Sequence, residues 1–363
     1  MIELALRHPA GVCPALVGEG LLGGEIAALT EAVSGRTVFV VSSPPVRALH
    51  GEPARGSLAA AVRVIDLDVA DGEAAKTVAE AERLWSEMLE AGGKRDSAVV
   101  ALGGGSVGDL AGFVAATFLR GIRLVQIPTT LLAQVDASVG GKTGIDLPAG
   151  KNTVGAFHQP ALVVADVATL ATLEEGELRS GLFEVVKKGV ILDHVLLETV
   201  ERDLDALLRA RPRELEPVVA AAIAAKARIV EQDPFEEGRR RLLNFGHTLG
   251  HAIETCLGYR GLRHGEAVGH GMLFALELAR ERGMSEEDAR RVGSLIQRIG
   301  LPPLPELSAD ALWEALGRDK KAREEGLAWV LPCAIGSGEI VALDATRVRA
   351  SLERFLLGRS RRI

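Results

Sequence analysis

Ser97-Ala-Val-Val-Ala-Leu-Gly-Gly-Gly-Ser-Val-Gly-Asp109 decides how this chain folds. Residues 97–102 read as a strand, because a short apolar run that ends in glycine suits a strand buried on both faces of a parallel sheet. The glycine cluster then opens a helix predicted over 108–119. Gly103, Gly105 and Gly108 fit the spacing G-x-G-x-x-G. Glycines there let the backbone approach a diphosphate, and a helix N-terminus offers unpaired N–H groups and partial positive charge. The acidic residue expected about 20 positions later is missing, since that place falls near Pro128, and the turn follows the third strand rather than the first. The turn thus departs from the usual dinucleotide fingerprint but keeps the chemistry of a diphosphate cradle. A plain tight strand-to-helix turn is the alternative.

Working outward, residues 37–41, 62–67, 123–127 and 161–165 are further strand candidates, and Ser42-Ser-Pro-Pro45 breaks the chain after the first. An amphipathic helix over 76–91 stops at Gly92 and Gly93. Strands alternating with helices imply crossover connections and a mostly parallel sheet. From about residue 174 the pattern turns helical, over 177–193, 214–232, 245–257, 266–282, 285–299 and 309–316. Residues 327–331 and 339–343 suggest a small hairpin joined through Gly336 and Gly338. The expected fold is an α/β N-terminal domain, 1–173, with a mostly parallel sheet and a glycine-rich nucleotide-binding turn. A mainly α-helical metal- and substrate-binding domain, 174–363, follows. A length of 363 residues agrees with two cores rather than one.

The formal net charge of −7 argues against a nucleic-acid partner, which usually meets a basic excess. Cys13, Cys256 and Cys333 are too scattered for a disulfide framework or a C-x-x-C site. The N-terminal residues lack the apolar core of a signal peptide. Apolar runs such as 218–225 fall short of the roughly 20 residues that cross a bilayer. These features point to the cytoplasm and to no membrane partner.

Asn244-Phe-Gly-His-Thr-Leu-Gly-His-Ala-Ile-Glu254 sets His247 and His251 four apart on one helix face, with Glu254 a turn further on. His264 precedes the next helix. Glu184 lies in the apolar patch Gly181-Leu-Phe-Glu-Val-Val186, where an unpartnered carboxylate is costly and a metal ion would be a partner. Two histidines and a carboxylate form a common catalytic zinc set. Thr248 stands where a metalloprotease needs its glutamate, so that class is set aside. Lys142, Lys151, Asn152, Arg120, Lys187, Lys226 and Arg240 lie in glycine-rich or apolar settings. Singly each reads as a snorkelling side chain; together they make an anion site. Gly141-Lys-Thr143 resembles the end of a P-loop, but no glycine stands five residues before Gly141, so an NTPase is set aside.

Taken in order, Gly103-Gly-Gly-Ser-Val-Gly-Asp109, Gln126-Ile-Pro-Thr-Thr-Leu-Leu132, Asp136-Ala-Ser-Val-Gly-Gly-Lys-Thr-Gly144, Gly150-Lys-Asn152, Gly155-Ala-Phe-His-Gln-Pro160, Leu243-Asn-Phe-Gly-His-Thr248 and His264-Gly-Glu-Ala-Val268 closely resemble the 3-dehydroquinate synthases, from about residue 73 to 336. The resemblance implies Glu184, His247 and His264 as ligands of a divalent metal, zinc or cobalt, with His251 beside them rather than in the ligand set. It implies a substrate cluster of Arg120, Asp136, Lys142, Asn152, Lys187, Lys226, Arg240, Asn244 and one of Lys320 or Lys321. Of these, Lys142, Lys187, Arg240 and Asn244, with His251, are the implied catalytic groups. For NAD it implies Glu73, Lys76, Gly104, Gly105, Ser106, Asp109, Thr129, Thr130, Leu132, Lys142, Lys151, Thr169, Thr172, Leu173 and Glu177. Ser42-Ser-Pro44 and Lys188 depart from the family pattern. The implied reaction turns a seven-carbon sugar phosphate into a carbocycle with loss of phosphate, in aromatic amino acid biosynthesis, and the implied assembly is a homodimer. A sister sugar phosphate cyclase, a metal-dependent polyol dehydrogenase of the related fold and a non-catalytic binding protein are the rival readings.

Overall fold

A computed structural model describes residues 1–148, 150–317 and 327–360. The chain divides into two compact units, Met1–Glu174 with Arg209–Phe235, and Glu175–Leu208 with Glu236–Ile363. The sequence reading places one cut after Leu173; the chain instead returns to the first unit for residues 209–235.

The first unit is built on a seven-stranded sheet. Its strands are β1 (Ile2–His8), β2 (Gly11–Gly18), β3 (Thr37–Ser42), β4 (Arg63–Asp68), β5 (Ala98–Gly103), β6 (Arg123–Pro128) and β9 (Leu162–Asp166), in the order β1-β2-β9-β6-β5-β3-β4. A separate hairpin pairs β7 (Lys142–Leu147) with β8 (Gly150–Phe157). All neighbours in the large sheet are parallel except β1 and β2. Successive side chains point to opposite faces of a strand. Accordingly Phe39, Val41, Val99 and Ala101 join one core cluster, while Val38, Val40, Val100 and Leu102 join the other. Helices α3 (Val78–Glu90) and α4 (Gly105–Thr117) cover the first face, and α1 (Ala27–Val33) and α2 (Pro44–Ser57) the second. Coverage on both faces explains why these strands read as apolar runs rather than as alternating ones.

Three of the differences from expectation have local reasons. Ser42-Ser-Pro-Pro45 reads as a break, yet Ser43 is the N-cap residue of α2 with proline in its first turn, where a missing N–H costs nothing. Helix α4 starts at Gly105 rather than 108, so Gly108 lies inside the helix; a Cβ there would come 2.9 Å from Gln126 Oε1. The N-terminal hairpin β1–β2 carries period-two alternation, Ile2, Leu4 and Leu6 against Glu3 and Arg7, that the sequence reading passes over.

The second unit comprises α5 (Glu175–Leu192), α6 (His194–Leu207), α8 (His247–Cys256), α9 (His264–Arg280), α10 (Glu286–Ile299), α11 (Ala309–Leu316), the hairpin β10 (Leu327–Ala334) and β11 (Ser337–Leu343), and α12 (Ala345–Ser360). Helix α7 (Pro212–Gln232) belongs to the first unit and packs on β1 and β2. Among the described residues no helix is long and apolar enough to cross a membrane.

Glycines set the approach of the helices in this unit. A Cβ on Gly265 of α9 would come 2.0 Å from the Ser180 carbonyl oxygen of α5, and one on Gly271 would come 1.9 Å from the Gly246 oxygen beside α8. Replacing Gly265 with alanine gains at most about 1 kcal/mol of helix propensity. It loses about 1–3 kcal/mol to overpacking against a backbone that cannot rotate away. Gly265→Ala should therefore lower the urea midpoint, whereas Gly293→Ala, where a Cβ meets Leu273 Cδ2 at an ordinary 3.6 Å, should leave it unchanged or raise it.

Candidate active site

In the first unit the strand order reverses between β3 and β5, since β4 lies outside β3 and the later strands lie beyond β5. Ligands of open parallel sheets sit outside the carboxyl ends of strands at such a switch point. The sequence-predicted cofactor residues of this unit follow those ends. Glu73 and Lys76 come after β4, residues 104–109 after β5, Thr129, Thr130 and Leu132 after β6, and Thr169, Thr172 and Leu173 after β9. Gly104 is the N-cap of α4, and a Cβ there would meet Thr130 Cγ2 at 3.2 Å. Thr129 donates its backbone N–H to the Gly103 oxygen at 2.9 Å, and Thr130 Oγ1 accepts from the Ala133 N–H at 3.1 Å.

Lys76 is the centre of this region and is 2% exposed. Its ammonium donates to Asp109 Oδ2 at 2.9 Å and to Asn152 Oδ1, and lies 4.0 Å from Glu73 and 3.9 Å from Asp146. Burial alone would lower its pKa, but the charges of Asp109 and Glu73 outweigh that and raise it. Burial raises the Glu73 pKa, yet the Lys76 and Lys151 ammoniums hold it below the usual carboxylate range. Ser106 Oγ donates to Glu73 at 2.9 Å, and Lys151 Nζ lies 3.3 Å from Glu73. Six predicted residues, Glu73, Lys76, Ser106, Asp109, Lys151 and Asn152, thus form one polar cluster. Asp136 pairs with Lys226 Nζ at 3.1 Å, because α7 returns to this unit.

Other predicted residues stand apart. Lys142 opens β7 opposite Phe157, so it lies toward the other end of its hairpin from Asn152. Arg120 lies beyond the C-terminal end of α4, opposite the glycine-rich turn, and lines an open cleft of about 680 Å³ with Arg36, Arg95, Arg123, His8 and His158. Thr169 and Thr172 hydroxyls donate within their own turn, to the Asp166 and Thr169 oxygens. Glu177 belongs to the second unit and accepts from Arg263 Nε at 2.7 Å. Lys320 and Lys321 lie outside the described residues. Asp71 was not foreseen: it accepts from Ser43 Oγ at 2.8 Å, so an acid reaches the switch point from the loop after β4. The sequence signal for it is Asp71-Gly-Glu73, two acids flanking a glycine just after a strand.

In the second unit α5, α8 and α9 bring Glu184, His247 and His264 together. Ligand atoms of the three lie within 4.8 Å of one another. His247 Nε2 and His264 Nε2 are 3.7 and 3.8 Å from Glu184 Oε1. Two ligands on a tetrahedral ion, each about 2.0–2.1 Å from it, lie roughly 3.3 Å apart, so small side-chain movements would close the set. The outer nitrogens are already engaged. His247 Nδ1 is 3.2 Å from the Phe245 oxygen and His264 Nδ1 is 3.2 Å from Glu254 Oε1, which leaves Nε2 of each ring for a metal. The other Glu184 oxygen, Oε2, faces Lys187 Nζ at 2.5 Å and Lys188 Nζ at 3.8 Å. The residues present fit a divalent ion.

Burial, with the neighbouring Lys187 cation, holds the His247 pKa well below 6.5 and its ring neutral, the form that ligates. Burial also pulls on His264, but its hydrogen bond to Glu254 and the Glu184 charge win and raise it. His251 shows an edge to solvent, and its ring centroid lies 5.2 Å from that of His247. Burial and the adjacent His264 lower its pKa. His251 also joins Glu254 and His264 in a second group of ligand-type atoms. Arg240 is 1% exposed, in the turn Arg239–Asn244, and Asn244 Nδ2 donates to Glu236 Oε1 at 3.2 Å.

The chain matches the family models described as 3-dehydroquinate synthase N-terminal, over residues 66–180, and C-terminal, over 181–322. It is 50% identical over 330 residues to the 3-dehydroquinate synthase of Geobacter metallireducens, covering 90% of this chain and 91% of that protein. Among solved structures it is similar to a 2-epi-5-epi-valiolone synthase from Streptomyces hygroscopicus with NAD+ and Zn2+ bound, at 30% identity and a TM-score of 0.88 over 100% of both chains. It is also similar to a 2-deoxy-scyllo-inosose synthase complexed with carbaglucose-6-phosphate, NAD+ and Co2+, at 26% identity and a TM-score of 0.87 over 97% of this chain and all of that one. With two family models that together span more than half its length, and a relative half identical over nine-tenths of it, this chain belongs to the 3-dehydroquinate synthase family.

Proposed function

We propose that the chain converts 3-deoxy-D-arabino-heptulosonate 7-phosphate to 3-dehydroquinate and phosphate, with Glu184, His247 and His264 holding zinc or cobalt. The overall change runs through transient oxidation of a carbinol carbon, β-elimination of phosphate, re-reduction, ring opening and intramolecular aldol closure. The observation that carries the metal assignment is the convergence of two imidazole Nε2 atoms on one Glu184 oxygen, with both outer nitrogens already engaged. When bound, NAD supplies reversible hydride transfer and the divalent ion supplies Lewis acidity toward adjacent hydroxyls.

The protein groups bind, orient and move protons. Glu73, Lys76, Ser106, Asp109 and Lys151 form the charged cluster beside the glycine-rich turn, suited to NAD. Thr129, Thr130, Leu132, Thr169, Thr172, Leu173, Glu177 and Lys142 are the further NAD contacts that the resemblance implies. Lys142, Asn152 and Arg240 are read as the groups that hold phosphate and carboxylate, which fixes the elimination geometry in advance. Lys187 neutralises the buried Glu184 carboxylate as well as facing substrate. His251, with Asn244, is read as the proton relay. Asp136 and Lys226 complete the substrate set, with Arg120 and Lys320 or Lys321 as further contacts. We read the assembly as a cytoplasmic homodimer, which the family resemblance supports.

A sister cyclase making a valiolone or a deoxy-inosose is the second reading. The identity of 50% to a 3-dehydroquinate synthase against 30% and 26% to the two sister enzymes favours the first. With this heptulosonate phosphate, catalytic NAD and zinc, the protein should release phosphate over many turnovers while NADH absorbance stays flat. No phosphate would favour a sister cyclase, and accumulating NADH would favour a dehydrogenase. Glu184→Gln should lose bound metal and turnover together. Glu254→Gln, which spares the three ligands, should weaken metal retention about 10–100-fold in a chelator competition.

A further inference from the structure

The β7–β8 hairpin is irregular at one place. Its register shifts between Ile145 and Leu147, so Asp146 sits at the step. The Asp146 backbone N–H does not join the hairpin ladder but donates to the Lys76 oxygen at 2.8 Å. Its side chain turns back across the hairpin, and Oδ1 accepts the Asn152 backbone N–H at 2.7 Å. Asn152 is in the left-handed region, with φ 55°. That conformation is uncommon for an L residue, though asparagine is among those that tolerate it best, and it persists where surrounding contacts enforce it. With the backbone so held, Asn152 Oδ1 receives the Lys76 ammonium, and the same ammonium lies 3.9 Å from Asp146 Oδ1. Asp146, Asn152 and Lys76 close a triangle in which one carboxylate oxygen faces the other two partners. Bulges beside functional sites often re-aim a side chain in this way.

We propose that Asp146 is a positioning residue: it latches Asn152 in the left-handed conformation so that its amide group is presented at a fixed place. The inference rests on the reading of Asn152 as a substrate contact. The latch needs an acceptor at Asp146 but not a charge, because the bonded group is a backbone N–H. This separates it from a purely electrostatic role toward Lys76, for which the charge would be essential.

The test compares D146A and D146N with the unaltered protein by phosphate-release kinetics and by hydrogen exchange of the Asn152 amide. In D146A the KM for the heptulosonate phosphate should rise about tenfold, the scale of one lost bond to a charged acceptor, with a smaller change in kcat. The Asn152 amide should lose its protection. D146N keeps an oxygen acceptor and should restore both. Equal damage in D146N and D146A would overturn the latch in favour of charge. So would a D146A protein with unchanged KM and a still-protected Asn152 amide. A lowered urea midpoint with unaltered KM would mark a merely structural role and overturn it as well. If the unaltered protein releases no phosphate from this substrate, the functional reading fails, and the exchange of the Asn152 amide alone then decides the latch.

Discussion

A carboxylate buried to 1% exposure governs the helical unit. Removing such a charge from water costs several kcal/mol unless partners surround it. Glu184 divides that task between its oxygens: Oε2 meets the Lys187 and Lys188 ammoniums, and Oε1 is turned toward His247 and His264. Lysine 187 lies one turn along the same helix, so its position follows from helix geometry. The histidines come from two other helices and can reach Oε1 only if three helix axes run close together. Gly265, Gly271 and Gly246 make that approach possible by leaving backbone against backbone.

The α/β unit shows the inverse arrangement. There a buried cation, Lys76, is ringed by Asp109, Glu73 and Asp146, and an asparagine oxygen completes its surroundings. The partners arrive from the turn after β4, the first turns of α4 after β5, and the β7–β8 hairpin. A parallel sheet gathers the carboxyl ends of its strands along one edge, so groups far apart in sequence meet without a long search. In each unit, burial of one ion therefore fixes where several other charged side chains must stand.

The sheet was legible where its strands are apolar on both faces, as in β3, β5, β6 and β9. It was illegible at β1, where a short alternating run at the chain terminus gives a weak signal. Helix α7 was readable as a helix from its apolar spacing, but periodicity carries no information about which core that face meets. The same limit explains Arg120 and Glu177: a side chain's residue type suggests chemistry, but its location depends on which end of α4, or which unit, it occupies. The histidines show the limit most clearly. Spacing favours His247 with His251, whereas space brings His247 and His264 equally close to Glu184, across 17 residues of chain. Asp146 had no sequence signal, because its importance depends on a one-residue slip in a hairpin ladder.

The return of residues 209–235 to the first unit has a consequence for how the molecule is made. A ribosome delivers the sheet first, then α5 and α6 of the second unit, and only afterwards α7. Until α7 emerges, β1 and β2 lack the helix that covers them, and Asp136 lacks the Lys226 ammonium. The intervening residues 175–208, which carry α5 and α6, add little closure entropy, which grows only slowly with length. The order of synthesis is the stronger constraint: the first unit can be completed only after residues 175–208 of the second have been made, and those residues must then wait for the stretch from Glu236 onward.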